Sequence, residues 1–329
     1  MISIRDFPKI DAHFHSTFYD PIFEKIASTY NVRYVNINTD AKVFPSMNEQ
    51  ETVACDYSKK DRHRFAYIAS FEMNGWENEV WYEKTIRGIS QSLEKGAVGV
   101  KIWKNIGMEI IKPSDKSYLM IDDAFFDPLF NFFSDNQIPV LTHFGEPKNC
   151  WLPLEEMTSN RNRIYYEKHP EFHAYLHPEI PGYELQIQAR DNVLEKHPDL
   201  IFVGAHLGSL EWSYEELSKR LDKYPNFDVD LSSRLGHLQL QSVHKHDGVR
   251  DFFIKYADRI IYGTDAYDNP ERLTSSLIND WNFLATNSDC TSAEVDGIFK
   301  GINLPEEILY KIYFENATRV YHRLSFKKA

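Results

Sequence analysis

The sequence predicts an α/β fold: one parallel (β/α)₈ TIM barrel over residues 1–329, with a long loop after its fifth strand covering the active-site end. Three observations predict it. Short apolar, β-rich runs alternate with longer helical patterns, the rhythm of a parallel sheet with crossover helices. Eight such runs can be counted, which favours a closed barrel over an open sheet. A barrel of this kind takes about 250 residues and tolerates insertions, so the 329 residues of the chain hold one barrel and its added loops.

The expected strands are Lys9–His15, Arg33–Asn38, Phe65–Phe71, Val98–Trp103, Ile138–His143, Leu200–His206, Phe227–Leu231 and Arg259–Asp265. Between them, apolar residues recur at helical spacing. Glu77–Lys95 carries Val80, Trp81, Ile86, Ile89 and Leu93; Asp122–Asn136 carries Phe125, Phe126, Leu129, Phe130 and Phe133; Leu185–Lys196 carries Leu185, Ile187, Ala189, Val193 and Leu194. Each pattern is a stripe that faces a core. The longest irregular connection, Phe144–Tyr183, follows the fifth strand and contains five prolines. In a barrel, a loop at that end of a strand lies over the active site.

Composition narrows the function classes. Hydrophobic residues make up 42% of the chain, with 22 Phe and 19 Tyr, enough for a large core. The net charge of −12 comes with no basic stripe, and Lys327 and Lys328 are too few to make one, so nucleic acid is not an expected partner. No apolar run is long enough to span a bilayer and no signal core precedes the first strand, so a cytoplasmic protein is expected. Cys55, Cys150 and Cys290 are odd in number and far apart, which argues against a disulfide framework or a thiolate zinc site.

The strongest chemical signal is Asp11-Ala12-His13-Phe14-His15. Residues two apart on a strand point to one face, so the two imidazoles project together and Phe14 turns away. Imidazole pairs suit zinc, iron and nickel, although metal-free histidines account for many such pairs. The context adds weight. His143, His206 and Asp265 each end an apolar run, where a strand leaves the core. In a parallel barrel all these ends gather on the catalytic face.

The order His-x-His, His, His, Asp after strands one, five, six and eight resembles the amidohydrolase superfamily. Asp11–His15, His143–Pro147, Ala205–Gly208 and Gly263-Thr264-Asp265 are similar to its amidohydrolase-2 branch, which includes aminocarboxymuconate-semialdehyde decarboxylase and pyrone-dicarboxylate lactonase. The closing stretch Leu304–Tyr321, with Asn316-Ala317, is similar as well. The resemblance implies that His13, His15, His143 and Asp265 bind one divalent metal, with zinc the default and manganese or iron suited to the same ligands. It implies that His206 stands beside the metal and its water, and that Asp265 or His206 acts as general base.

In some members of the superfamily a carboxylated lysine on the fourth strand bridges two metals. Lys101 stands at that place, so two readings remain open: a carbamate bridge with a second metal, or, the favoured one, an ammonium that meets a substrate carboxylate. Arg161, Arg163 and Arg234 are further candidates for an anion, since Arg holds carboxylates in bidentate fashion. Trp103 and Trp151 are candidates for the pocket wall. Glu146 is either a partner for the His143 imidazole or a loop-orienting group, and Asp230 is expected to make a structural hydrogen bond. His169, His173 and His177 recur every four residues, but Pro170 and Pro178 break the helix that would stack them into a second metal site.

The leading functional expectation is a hydrolase in which activated water attacks a lactone, ester or other carbonyl of a small organic acid. The alternative is a non-oxidative decarboxylase with the same metal frame. A small anionic substrate is the expected partner, and a homodimer is admitted.

Overall fold

In a computed structural model of the protein, which describes residues 3–326, all eight expected strands are present and each runs parallel to the next. They are β1 (Lys9–His15), β2 (Val32–Ile37), β3 (Phe65–Ser70), β4 (Ala97–Ile102), β5 (Val140–Thr142), β6 (Phe202–Gly204), β7 (Phe227–Asp230) and β8 (Ile260–Ile261). A ninth, β9 (Ala266–Tyr267), pairs with β1 and continues the line of β8. The ring closes there: Ala12 N–H donates to Tyr262 O at 3.0 Å and Asp265 N–H donates to His13 O at 2.8 Å. Strands five, six and eight are shorter than the sequence suggests, because the chain leaves the sheet just before His143, His206 and Asp265. His206 and Asp265 do so with φ of 59° and 57°, which the regular ladder does not admit.

Two packed layers arise from strand alternation. Ile10, Ala12, Val35, Ile37, Ala66, Ile68, Val98, Leu141, Val203 and Ile261 fill the lumen. Phe14, Tyr34, Val100, Ile102, Val140, Phe202, Val229 and Ile260 face the surrounding helices. Two strands change phase part-way. In β1 the register shifts between Asp11 and Phe14, so Ile10 and Ala12 point inward while Phe14 points outward. In β4 the register against β3 shifts in the same way, between Val98 inside and Val100 outside. Each extra residue is a bulge that re-aims the side chains beyond it: His13 and His15 in one strand, Lys101 in the other.

The outer helices follow the expected stripes in part. Trp81–Glu94 starts later than the predicted Glu77–Lys95 and leaves Val80 exposed ahead of its first turn, and Tyr183–Lys196 spans its predicted segment but turns Leu185 to solvent. The helix expected over Asp122–Asn136 divides into a 3₁₀ turn at Ala124–Phe126 and an α-helix at Asp127–Asp135. Pro128 accounts for the division: it fits a first turn and is excluded from a helix interior. The connection after β5 is not irregular. It is built of short turns and the helix Asn160–Lys168, around a small core of Cys150, Met157, Tyr166 and Ala174.

A hairpin that no sequence pattern announces, β10 (Asp289–Ser292) and β11 (Val295–Lys300), comes after the helix Pro270–Ala285. Its tip docks on that connection: Glu294 accepts from Ser159 Oγ, and Asn160 Nδ2 donates to Asp296 at 2.8 Å. All three cysteines are free thiols. Among the described residues no helix is long and apolar enough to cross a membrane. Lys327 and Lys328 lie outside the described residues.

The far end of the lumen is plugged by the last helical segment, Glu306–Tyr310 and Asn316–Val320 joined by a π turn at Lys311–Glu315. Phe314, Ala317, Val320 and Tyr321 belong to the lumen cluster. Buried Asn316 donates through Nδ2 to Ala257 O at 2.6 Å and Ile260 O at 2.7 Å, which fixes the entry into β8. Replacing Asn316 with Ala leaves two carbonyls without that donor, and we expect a loss of about 1–3 kcal/mol, read as a shift in the denaturant midpoint. An unchanged midpoint would show that the contact is not stabilising.

Candidate metal centre

The mouth of the barrel collects the polar ends of six strands. His13 and His15 come from β1, Lys101 from β4, His143 from just beyond β5, His206 from just beyond β6, Asp230 from β7, and Asp265 from between β8 and β9. All but Asp265 are buried. The ligand atoms of His13, His15 and Asp265 lie within 4.8 Å of one another. The Nε2 atoms of His13 and His15 stand 3.6 Å and 3.4 Å from Asp265 Oδ1.

The other edges of these rings are already committed. His13 Nδ1 donates to Asp230 Oδ2 at 2.7 Å, and His15 Nδ1 donates to Ile37 O at 2.9 Å. With Nδ1–H spent in this way, Nε2 of each carries a lone pair toward the centre. His206 Nδ1 likewise meets Ser232 O at 2.8 Å. His143 differs: both of its ring nitrogens are buried without a hydrogen-bond partner. Its ring stands 4.2 Å from that of His206 and edge-on to Trp103 at 4.9 Å.

Asp230 is more than the structural group expected from the sequence. Besides His13, its carboxylate accepts His206 N–H at 2.7 Å, Ser232 N–H at 3.1 Å and Ser232 Oγ–H at 2.5 Å. Burial works to raise its pKa, but the His13 imidazole, its hydrogen bond and the remaining donors outweigh that and hold the carboxyl well below the usual range. Asp265 is lowered in the same sense: burial opposes, while the imidazoles of His15, His206 and His13 around it prevail. Burial depresses His143 and His15, and brings His206 to about 3, which favours neutral rings able to donate lone pairs.

The backbone around the centre is held in left-handed conformations that side chains rarely adopt. His206, Leu207, Ser209, Ser233 and Asp265 all have φ between 51° and 59°. Such residues gather at functional sites, where the surrounding contacts over-determine them. Gly263 is required by close approach, since a Cβ there would stand 2.8 Å from His13 Cβ.

Around the centre lies a set of cations. Lys101 is buried with no partner for Nζ, and burial brings its pKa down to about 8 against the pull of Asp230 and Asp265. Lys104, beside Trp103 at 5.0 Å, is also lowered to about 8 by burial. Arg234 lies close enough to His206, His143 and Lys104 for its charge to act on all three. Arg161 is exposed on the helix Asn160–Lys168, where the charges of Arg272, Glu294, Arg234 and Asp265 act on it.

Some expected roles fall elsewhere. Glu146 does not partner His143; its carboxylate pairs with Lys104. Arg163 is spent on its own loop, donating to Met157 O at 2.9 Å and to Asn160 at 3.3 Å. The three spaced histidines do not converge, because the helix ends at Lys168. His173 turns inward to Leu152 O at 2.8 Å, while His169 and His177 meet Glu171 and Pro170 O.

Other participants had no local signal. Ser233 Oγ donates to Asp265 Oδ2 at 2.7 Å and accepts from Arg272 at 3.3 Å. His237 is buried with Nε2 unpartnered. Ser233 and His237 sit just past the end of strand seven, where position alone could have flagged them; Arg272 is brought in only by the packing of its helix.

Comparison with known proteins agrees with this architecture. Among curated proteins, none matches the chain. Solved structures match it along nearly its whole length. An uncharacterized TIM-barrel protein from Bordetella bronchiseptica is 16% identical, with 96% of this chain and 99% of that chain covered at a TM-score of 0.56. A 2,6-dihydroxybenzoate decarboxylase from Rhizobium is 17% identical, with 96% and 99% covered at 0.54. A 5-carboxyvanillate decarboxylase from Sphingomonas paucimobilis is 11% identical, with 96% and 99% covered at 0.51. At these identities the likeness is one of fold. The amidohydrolase family model matches residues 80–323, beginning after the His13/His15 strand that the barrel closure brings against Asp265. That match covers more than half of the sequence, and the protein belongs to the amidohydrolase family.

Proposed function

We propose that the protein is a metal-dependent hydrolase of small anionic substrates, with His13, His15, His143 and Asp265 holding one divalent ion. The observation that carries this reading is the set of uncommitted donors: two Nε2 atoms and a carboxylate oxygen within 4.8 Å, with His143 outside that group, its ring 4.2 Å from His206 and both its nitrogens buried and unpartnered. Buried polar atoms without partners are rare in folded proteins and call for an explanation such as an ion. Zinc suits this mixed imidazole and carboxylate set, and manganese or iron would serve. A divalent ion there supplies Lewis acidity and a strong nucleophile from water at neutral pH.

The chain's own groups have distinct tasks in this scheme. Asp230 orients the His13 ring and fixes its tautomer. His206, with Nδ1 turned to Ser232 O, presents Nε2 to take a proton from the attacking water, a task Asp265 can share. Lys101 Nζ, with no protein partner, donates to a substrate carboxylate, and Arg234 adds positive charge on the same side. Trp103 walls the space beside His143.

A second reading, non-oxidative decarboxylation, draws on the gathering of Lys101, Lys104 and Arg234 round the centre, which would hold a carboxylate destined to leave; it is also the chemistry named for two of the fold relatives. The two part on product. Hydrolysis releases acid without carbon dioxide, and decarboxylation releases carbon dioxide, so a panel of lactones, esters and aromatic acids read by both detectors separates them.

Protein purified without chelators is expected to hold about one equivalent of metal per chain, lost in His13→Ala and Asp265→Ala. About two equivalents would instead point to a carboxylated Lys101 bridging a second ion. A metal-free chain that takes up neither zinc nor manganese would end the proposal. Asp230→Asn keeps the shape of the side chain but not the pull on His13, and we expect metal affinity about 10–100-fold weaker by chelator competition. Unchanged affinity would remove Asp230 from the account.

A further inference from the structure

A second concavity lies at the end of the barrel away from the metal centre, beside the terminal plug. It is a cavity of about 710 Å³, within the size range of small-molecule sites. Its floor is Phe65 and Ala66 at the start of β3 and Val98 at the start of β4, all buried. The strands are parallel, so their starts lie opposite the mouth that gathers His143, His206 and Asp265. One wall is the helix Met47–Lys60. Another is the turn after the last helix, which His63 Nδ1 ties to the loop before β3 by a contact of 3.0 Å to Ser325 O.

The rim of this cavity is cationic. Lys59, Arg62, Lys95 and Arg323 line it with a single carboxylate, Glu51, in a chain whose net charge is −12. Glu51 is already committed: it accepts from Ser92 Oγ, from Tyr67 Oη at 3.4 Å and from Lys95 Nζ at 2.6 Å. The neighbouring acids are engaged as well, Asp56 with Lys59 at 3.6 Å and Asp61 with Arg64 at 3.4 Å. Two guanidinium groups remain. Among the described residues, neither Arg62 nor Arg323 has a hydrogen-bond or ion-pair partner. They reach the one cavity from two segments, the loop before β3 and the turn after the last helix.

We propose that this cavity binds an organic phosphate monoester, with the phosphate held by Arg62 and Arg323 and the organic group laid on Phe65, Ala66 and Val98. Two unpaired guanidinium forks match a dianion, and a phosphate monoester offers three terminal oxygens, enough to accept from both forks at once. A carboxylate brings one charge and two oxygens. The apolar floor is covered by the organic group, whereas a bare phosphate would leave it to water. This site is separate from the barrel mouth and does not depend on the reaction proposed there.

Phenyl phosphate, inorganic phosphate and benzoate are titrated calorimetrically into the full chain and, because an anion can also enter the mouth, into Asp265→Ala. We expect phenyl phosphate to bind about tenfold tighter than inorganic phosphate through burial of its ring, tighter than benzoate, and equally well in the two proteins. Arg62→Gln and Arg323→Gln should each weaken it about three- to tenfold. Both positions are exposed, so the fold is retained, as circular dichroism would verify. Thr52→Trp, on the exposed side of the wall, fills the cavity and should weaken phenyl phosphate more than inorganic phosphate. Absence of binding, affinity untouched by both arginine substitutions, or binding lost in Asp265→Ala overturns the proposal. So does benzoate or inorganic phosphate binding as tightly as phenyl phosphate, since the site would then select neither the dianion nor the organic group. None of these results bears on the metal content of the chain, which is measured separately.

Discussion

The buried carboxylate of Asp230 is the group on which the mouth of the barrel depends. It accepts one hydrogen bond from β1, through His13, one from the backbone at His206, and two from Ser232. Three chain segments far apart in sequence are thereby set against one another. An unpaired carboxylate at that depth would be costly, so the donors and the acceptor stabilise one another or fail together. The consequence for function is directional. Holding His13 Nδ1 turns Nε2 to the centre, and holding the His206 backbone keeps a strained turn in place.

Barrel closure and the two bulges supply the rest of the geometry. Alternation alone would put Ile10, Ala12 and Phe14 on one face, and then His13 and His15 would point to the helices. The shift within β1 reverses this, at the cost of a locally irregular ladder. The shift in β4 does the same for Lys101. Each strand thus serves two ends: its first half fills the lumen with apolar side chains, and its second half delivers a polar group to the mouth. The terminal helix closes the opposite end, so the lumen is packed and the chemistry is confined to one face.

Positive groups accompany the carboxylates and imidazoles of that centre: Lys101, Lys104 and Arg234 all act on His143, and Arg272 reaches Asp265 through Ser233. The two lysines are the sensitive members, since burial already brings both to about 8, and an anion beside them would favour their charged forms.

The barrel, its eight strands, most of the helical stripes and a candidate set of metal ligands were legible in the residues alone. Those signals are local: an apolar run and the polar residue that ends it lie within a few positions, and the periods of strand and helix differ. Which of these groups meet is settled by packing. Glu146 was within reach of His143 by sequence, yet Lys104, carried in by the loop after β4, takes its carboxylate. Three histidines at helical spacing diverge because the helix before them stops at Lys168. Asp230 gained its role from a histidine 217 residues away, and Arg272 and Ser233 gained theirs from packing between segments that share no motif. Contacts of that kind depend on how whole elements settle against one another, and a single sequence carries the periodicity of each element but not the arrangement of its neighbours.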